Sequence, residues 1–205
     1  MIDNLRLIMV SISFEKRSIK FKPDDGKVYF TYDDLSYLPE WPETPMIELT
    51  NGEIYLVPSP SILHQTISAE LSYLIRTHVK SNDLGSIFNA PIDVVFTPTD
   101  TVVPDIIFIS NQRKEIIKKQ NIQGAPELII EILSTNRKRD LVEKKEIYKN
   151  YKVKEYIIID PEEEVVLQFN LNNEETRYSQ SDFTFKDPFH IKTLENLEVV
   201  LSDII

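Results

Sequence analysis

The sequence predicts an α/β fold, more closely an α+β protein with a mixed sheet, built as one globular unit. Three observations predict this class: a hairpin followed by an amphipathic helix, three consecutive apolar strands, and a second helix that leads into a further strand. A chain of 205 residues with 41% hydrophobic content can bury a full core. We expect an N-terminal extension over residues 1–45 to pack on one domain over residues 46–205.

The hairpin and the first helix have the clearest local signals. Apolar residues alternate over residues 46–58 on both sides of Asn51-Gly52, a strong two-residue turn signal. Ser59 is expected to cap the next helix, with Pro60 at its first helical position. Apolar residues then keep helical spacing from Leu63 to Val79.

Four apolar segments predict strands, at residues 87–96, 104–109, 127–133 and 155–159. The polar segment over residues 112–120 is expected to be a helical link, and a second helix is expected over about residues 139–151. Segments 165–170 and 176–184 predict a peripheral hairpin.

Two of the apolar strands each contain an acid. Glu131 interrupts the segment Glu127–Leu133, and Asp105 begins the segment after Pro104. An ionised group on a buried strand is costly unless a partner, a metal or a pKa shift compensates. The two acids therefore indicate a shared site.

The two carboxylates can converge on one metal ion. If their strands pair antiparallel, the beginning of one strand, with Asp105, lies beside the end of the other, with Glu131. Oxygen ligands without cysteine or clustered histidine favour Mg²⁺ or Mn²⁺. The alternative is structural: Asp105 in a turn and Glu131 paired with an arginine.

Helical periodicity places Lys144 on the inner face of the second helix. It falls on the same side as Tyr148, whereas Lys145 falls on the other side. Lysine is rarely buried unless its charge is used, and beside a metal it can orient a water or stabilise a pentacovalent phosphate. The alternative is a simple ion pair with Asp140, four residues earlier.

Charge and composition limit the kinds of partner that the protein can have. The net charge of −10 is unusual for a protein that binds nucleic acid without sequence preference. Between Arg137 and Lys154, however, eight basic residues face three acidic ones, a net +5. The candidate nucleic-acid contacts in this stretch are Arg137, Lys138, Arg139 and Lys145; the alternative is a solvated helix face.

The chain has no cysteine and no apolar run of the length that a membrane span needs. Its first residues mix apolar and charged side chains, a poor match to a signal peptide. We therefore expect a cytoplasmic protein with no membrane partner.

An ordered set of motifs resembles a known family. The set comprises Asn51-Gly52-Glu53, Pro58-Ser59-Pro60 before His64-Gln65, Pro104-Asp105, Glu131-Ile132-Leu133-Ser134, Asp140 with Lys144 and Tyr148, and Val153-Lys154-Glu155-Tyr156 before Asp160-Pro161. In this set the chain is similar to the Uma-type family of putative restriction endonucleases, a branch of the PD-(D/E)XK nuclease superfamily. The resemblance covers about residues 46–165.

The resemblance implies a restriction-endonuclease-like core: a helix, three antiparallel strands, a helix and a further strand. It also implies that Asp105 is the aspartate of the PD element and Glu131 the acid of the following half-motif. The superfamily normally has a lysine two residues after that acid, where this chain has Leu133. The family pattern places the lysine on the next helix, which matches Lys144.

Three further residues are supporting candidates. Glu53 could add a carboxylate or a water-bridged metal contact, or be an exposed hairpin charge. His64 could hydrogen-bond an active-site carboxylate or a phosphate, or be a core histidine. Asp93 is a third acid on an apolar strand and the weaker candidate.

The expected function is a magnesium- or manganese-dependent nuclease, a DNA endonuclease in particular. Asp105, Glu131 and Lys144 are its expected catalytic residues, with the metal on Asp105 and Glu131. The alternative is a nuclease-fold module that binds nucleic acid or protein with weak or no catalysis, which Leu133 and the acidic net charge favour. A homodimer is a further expectation, because paired cuts need two sites.

Overall fold

The computed structural model describes residues 20–21, 28–36, 46–134, 137, 139–195 and 197–205. Its strands are β1 (Lys20–Phe21), β2 (Val28–Tyr29), β3 (Met46–Thr50), β4 (Glu53–Val57), β5 (Gly85–Asn89), β6 (Val94–Thr97), β7 (Asp100–Val102), β8 (Ile106–Ser110), β9 (Ile122–Gln123), β10 (Leu128–Ile132), β11 (Glu155–Asp160), β12 (Val165–Leu171), β13 (Tyr178–Thr184), β14 (Phe189–Ile191) and β15 (Leu197–Val199). The α-helices are α1 (Tyr32–Leu35), α2 (Ile62–Ser81) and α3 (Lys145–Asn150); a π-helical turn over Arg139–Lys144 leads into α3. Short 3₁₀ helices cover Asn111–Ile116, Lys192–Leu194 and Leu201–Asp203.

Six strands form the central sheet, in the order β13-β12-β11-β10-β8-β5. Strands β10 and β11 run parallel, and the other neighbours are antiparallel. A second sheet has the order β4-β3-β7-β6-β9. Helix α2, the antiparallel strands β5, β8 and β10, then α3 and β11 follow each other along the chain. This order confirms the predicted mixed α+β class and the core implied by the resemblance.

Both faces of the central sheet are covered. On one face, Leu71 and Ile75 of α2 belong to the same buried cluster as Ile130 of β10. On the other face, Val94 of the second sheet and Tyr148 of α3 form a second cluster with neighbouring strands. Strands covered on both faces read as continuous apolar runs. A charge inside β10 is therefore buried wherever its side chain points.

Two predicted elements differ from the structure near the site. Helix α2 begins at Ile62 with Ser61 as its N-cap, so the predicted cap at Ser59 is wrong. The single strand predicted over residues 87–96 is two strands, β5 and β6, which lie in different sheets. The break contains Pro91, which has no backbone N–H and so cannot donate a hydrogen bond to a neighbouring strand.

The remaining elements agree more closely. The hairpin over β3 and β4 turns at Asn51-Gly52 as predicted. The polar link over residues 112–120 is helical only as far as Ile116. The hairpin of β12 and β13 forms the outer edge of the central sheet. None of the described helices is long and apolar enough to cross a membrane.

Part of the predicted N-terminal extension contacts the domain. The amide of Phe30 donates to the carbonyl of Gly52 (2.8 Å), and the Tyr32 hydroxyl donates to Asp93 (2.6 Å). Residues 1–19, 22–27 and 37–45 lie outside the described residues. The boundary at residue 45 stays a prediction.

The start of β5 leaves no room for a side chain. A Cβ added at Gly85 would lie 2.1 Å from the carbonyl oxygen of Ile109 on the paired strand β8. We expect Gly85→Ala to lower the free energy of unfolding by about 1–3 kcal/mol, because the strand must shift to relieve the overlap. Urea unfolding measures this loss. Ser86→Ala, one residue along, should change the same quantity by less than about 0.5 kcal/mol; equal losses would contradict the steric account.

Candidate active site

Asp105 and Glu131 meet at adjoining strand ends. Ile106 of β8 pairs with Ile130 of β10, so Asp105 lies opposite Glu131 in the antiparallel register. One carboxylate oxygen of Asp105, Oδ2, accepts a hydrogen bond of 2.8 Å from the amide of Ile132. The predicted convergence of the two acidic strand ends is therefore confirmed, and this hydrogen bond fixes the Asp105 side chain against β10.

Lys144 lies between three carboxylates. Its ammonium nitrogen is 2.9 Å from Glu131 Oε1, 2.9 Å from Glu48 Oε1 and 3.3 Å from Asp140 Oδ1. The residue is only 4% exposed, so the predicted inward orientation is confirmed. The contact with Asp140, foreseen as the alternative to a catalytic role, is present as well. The ammonium therefore joins the candidate metal ligand Glu131 to two further acids.

Glu48 of β3 is a member of the site that sequence reasoning missed. It is 1% exposed, and besides Lys144 it binds the Arg139 guanidinium (3.0 Å) and the amide of Val103 (3.0 Å). The signal was available, because Glu48 is an acid beside the apolar residues of a predicted strand, like Asp105. An alternating hairpin strand normally turns such a residue to solvent.

Arg139, one of the predicted nucleic-acid contacts, is buried beside the cleft. It is 5% exposed, its guanidinium binds Glu48, and it stacks on the Tyr55 ring with 3.7 Å from Cζ to the centroid. These contacts bury its charge, so Arg139 does not lie on a solvated helix face, whereas its role as a nucleic-acid contact stays a prediction. Its ion pair with Glu143 reaches the protein surface (3.2 Å).

The other three basic candidates have separate positions. Arg137 is half-buried and paired with Asp160 and Glu162. Lys145 is half-buried above the Phe169 ring, 5.0 Å from its centroid, so it is less solvent-facing than predicted. Lys138 lies outside the described residues.

His64 reaches the site from the first turn of α2. Its Nε2 atom lies 3.1 Å from Asp105 Oδ2, the oxygen that also accepts from Ile132. The N-cap fixes this turn, because the Ser61 hydroxyl oxygen accepts from the His64 amide. His64 thus contacts the Asp105 carboxylate, and it also lines the cleft. Its other ring nitrogen is buried without a partner among the described residues.

Two supporting candidates lie away from the cleft. Asp93 accepts the Tyr32 hydroxyl and so holds the segment around α1. Glu53 begins β4 at the turn of its hairpin. Neither residue lines the cavity that contains Asp105 and Glu131. The structure does not bring Glu53 or Asp93 to this site.

Burial and ion pairing shift the pKa values of the acids in opposite directions. For Glu48, burial would raise the pKa, but Lys144 and Arg139 outweigh burial and lower it. For Asp140, burial raises the pKa, and Lys144 only partly opposes this effect. The pKa of Lys144 itself lies well above its usual value: burial would lower it, but the three surrounding carboxylates prevail.

Glu131 is the carboxylate with the strongest upward shift in this group. Burial raises its pKa well above the usual range, Lys144 opposes the change, and the nearby charges of Asp140, Asp105 and Glu48 add to it. Crowded carboxylates disfavour one another's ionisation unless a cation is near. The cluster is therefore suited to accept additional positive charge.

The cleft has room for a small ion and carboxylate oxygens that could bind it. It has a volume of about 70 Å³, and its lining includes Asp105, Glu131 and Lys144. Among the described residues, Asp105 Oδ1 and Glu131 Oε2 receive no hydrogen bond, because their contacts fall on the other oxygen of each carboxylate.

The described residues hold no cluster of three or more acids, histidines or cysteines that could bind a metal ion. Magnesium commonly uses only one or two protein carboxylates and completes its shell with water and substrate phosphates. The pair formed by Asp105 and Glu131 therefore fits Mg²⁺ or Mn²⁺. It does not fit a metal ion whose ligands must all come from the protein.

The order of helices and strands is that of a restriction-endonuclease-like core. The sequence model of the Uma2 family, described as "Putative restriction endonuclease", matches residues 32–202, and the chain belongs to this family. No curated protein matches the chain. Among solved structures it is similar to "a putative nuclease belonging to DUF820 from Anabaena variabilis", with 23% identity, a TM-score of 0.69, and coverage of 85% of this chain and 97% of the other. At that identity the likeness shows the fold.

We expect Glu48→Gln to lower the free energy of unfolding by about 3–5 kcal/mol, because it breaks a buried ion pair. The matched control is Glu143→Gln, which removes an acid 39% exposed at its side chain from the same arginine. That change should cost about 0–1 kcal/mol. Urea titration of both variants measures the difference. Equal losses would contradict a stabilising role for the buried ion pairs of Glu48.

The effect of Glu48→Gln should also depend on pH. Since the pKa of Glu48 is lowered in the folded protein, its stabilising contribution is full above the unfolded-state value of about 4.3. It is lost as the pH falls through the lower folded-state pKa. The gap between wild type and variant in urea titrations should therefore shrink below about pH 4. A gap that widens there would contradict the direction of the shift.

Proposed function

We propose that this chain is a metal-dependent nuclease that hydrolyses phosphodiester bonds in nucleic acid, and that it cuts DNA internally. The observation that carries the proposal is the meeting of Asp105 and Glu131 at paired strand ends, beside the buried ammonium of Lys144. Membership of a family of putative restriction endonucleases supports the nuclease class and a nucleic-acid substrate.

Asp105 and Glu131 would hold a divalent ion, Mg²⁺ or Mn²⁺, through the oxygens that face away from their hydrogen bonds. When bound, such an ion polarises the phosphate, offsets its charge and favours an attacking water. The hydrogen bonds from Ile132 and His64 keep Asp105 in place for this role. Groups that orient a metal ligand in this way raise affinity by preorganisation.

Lys144 would stabilise the negative charge that develops on the phosphate during hydrolysis. An ammonium has three N–H donors, and its three carboxylate contacts occupy them. The contact with Asp140 is the longest, at 3.3 Å, and Asp140 is the most exposed of the three partners. We infer that the substrate phosphate replaces Asp140 at Lys144.

A second candidate function is a nuclease-fold module that binds nucleic acid or protein without cutting it. The specific observation in its favour is Leu133, a buried apolar residue at the position where the superfamily carries its lysine. Binding without cleavage under every metal condition would support this alternative. The cytoplasmic location and the homodimer remain predictions from sequence.

We expect purified protein to cut plasmid DNA in the presence of Mg²⁺ or Mn²⁺, and to stop doing so when EDTA removes the metal. Asp105→Asn should lower the rate by at least about 100-fold, because it removes a metal-binding charge but keeps the side chain's size. Agarose gels with plasmid and single-stranded DNA measure both effects. Equal cutting by the variant would indicate a contaminating nuclease.

We expect Lys144→Met to lower kcat by about 100- to 1,000-fold, because a donor to the transition state is lost. It should also reduce stability, since three buried carboxylates lose their shared cation. The assay therefore runs at a temperature at which circular dichroism verifies the fold. Lys145→Met, the neighbouring change, should leave kcat unchanged and at most raise KM. The reverse ranking would remove Lys144 from the mechanism.

A further inference from the structure

Tyr148 shares a carboxylate oxygen with Lys144. Its hydroxyl lies 2.5 Å from Glu131 Oε1, the same atom that Lys144 approaches to 2.9 Å. Both donors come from the segment that leads through α3, four residues apart, whereas Glu131 comes from β10. Two donors four residues apart, one at the end of the π-helical turn and one in α3, therefore converge on a single oxygen of Glu131.

The Tyr148 ring cannot easily turn away from this contact. The residue is completely buried, and its ring packs edge-on against Tyr156 with centroids 4.7 Å apart. A second ring, Phe96, lies 6.1 Å away. A phenylalanine would meet these packing needs equally well. The hydroxyl's hydrogen bond to Glu131 is what distinguishes tyrosine at this position.

A glutamate carboxylate held at one point rotates freely, because its terminal torsion has a broad energy profile. Lys144 alone gives Oε1 one contact from a group that has two other carboxylate partners. The second donor, from a rigid ring, defines the plane of the carboxylate. With Oε1 occupied twice, Oε2 is the oxygen left for the cleft.

We propose that Tyr148 is a positioning residue, which orients Glu131 so that Oε2 faces the divalent ion and the ion binds to a preorganised carboxylate. This inference rests on the proposed function, because it assumes that Glu131 is a metal ligand. Tyr148 itself touches neither the metal nor the substrate. Its effect passes through Glu131.

The test compares Tyr148→Phe with Tyr178→Phe. Tyr178 is a half-buried tyrosine with a hydroxyl hydrogen bond, 2.8 Å to the carbonyl of Val153. Each change removes one tyrosine hydroxyl hydrogen bond. The loss of unfolding free energy should be about 1 kcal/mol for Tyr178→Phe, and about 1.5–3 kcal/mol for Tyr148→Phe, whose acceptor is a carboxylate. The control therefore separates a local effect on Glu131 from a general loss of stability.

The primary readout is the affinity of the full chain for Mn²⁺ without DNA, measured by the electron paramagnetic resonance signal of the free ion. Removing a group that orients a metal ligand typically weakens binding by about 10- to 100-fold. We expect that loss in Tyr148→Phe, and wild-type affinity in Tyr178→Phe. In plasmid cleavage, saturating Mn²⁺ should restore part of the activity of Tyr148→Phe.

Each other outcome overturns a defined claim. If wild type binds Mn²⁺ and cuts DNA, but Tyr148→Phe binds Mn²⁺ as wild type does, the positioning role is wrong and the proposed function stands. If both tyrosine variants weaken Mn²⁺ binding equally, the effect is general and the positioning role is again wrong. If wild type binds no Mn²⁺, the two-carboxylate metal site is wrong, and the role of Tyr148 falls with it.

Discussion

The buried ammonium of Lys144 is the interaction on which the site depends. It joins Glu48 on the second sheet to Glu131 on the central sheet and to Asp140 in the π-helical turn. A buried charge repays the cost of leaving water only when its hydrogen bonds are all made. Three acceptors match the three donors of an ammonium, so one cation connects two sheets and a helix at the same point.

The π-helical turn explains how one short segment supplies several charges to this point. Arg139, Asp140 and Lys144 all lie within it, and π-helical turns occur often at functional sites. Arg139 and Lys144 both reach Glu48, one through each of its carboxylate oxygens. The two cations thereby dock the turn onto β3. Tyr148, in the following turn of α3, extends the same face to Glu131.

Negative charge exceeds positive charge in the cleft. Four carboxylates, from Glu48, Asp105, Glu131 and Asp140, face two cations, from Lys144 and Arg139. Burial raises the pKa values of Glu131 and Asp140, and the neighbouring carboxylates add to both shifts. A phosphate approaching such a surface is repelled unless a cation intervenes. The proposed divalent ion would supply that charge.

The sequence alone determined the fold class, the presence of one acid on each of two apolar strands, and the inward direction of Lys144; the antiparallel register that brings Asp105 opposite Glu131 came from the structure. Each of these signals is local. An acidic residue is unusual in an apolar strand that is covered on both faces, and the helical period shows which side of the helix carries Lys144. Tertiary structure alone decided the positions of Glu48 and Arg139, which pair across 91 residues. Their local patterns, an alternating hairpin and a basic run, are typical of surfaces. Only the docking of the π-helical turn on the second sheet buries them, because burial depends on which elements meet and not on the pattern within either one.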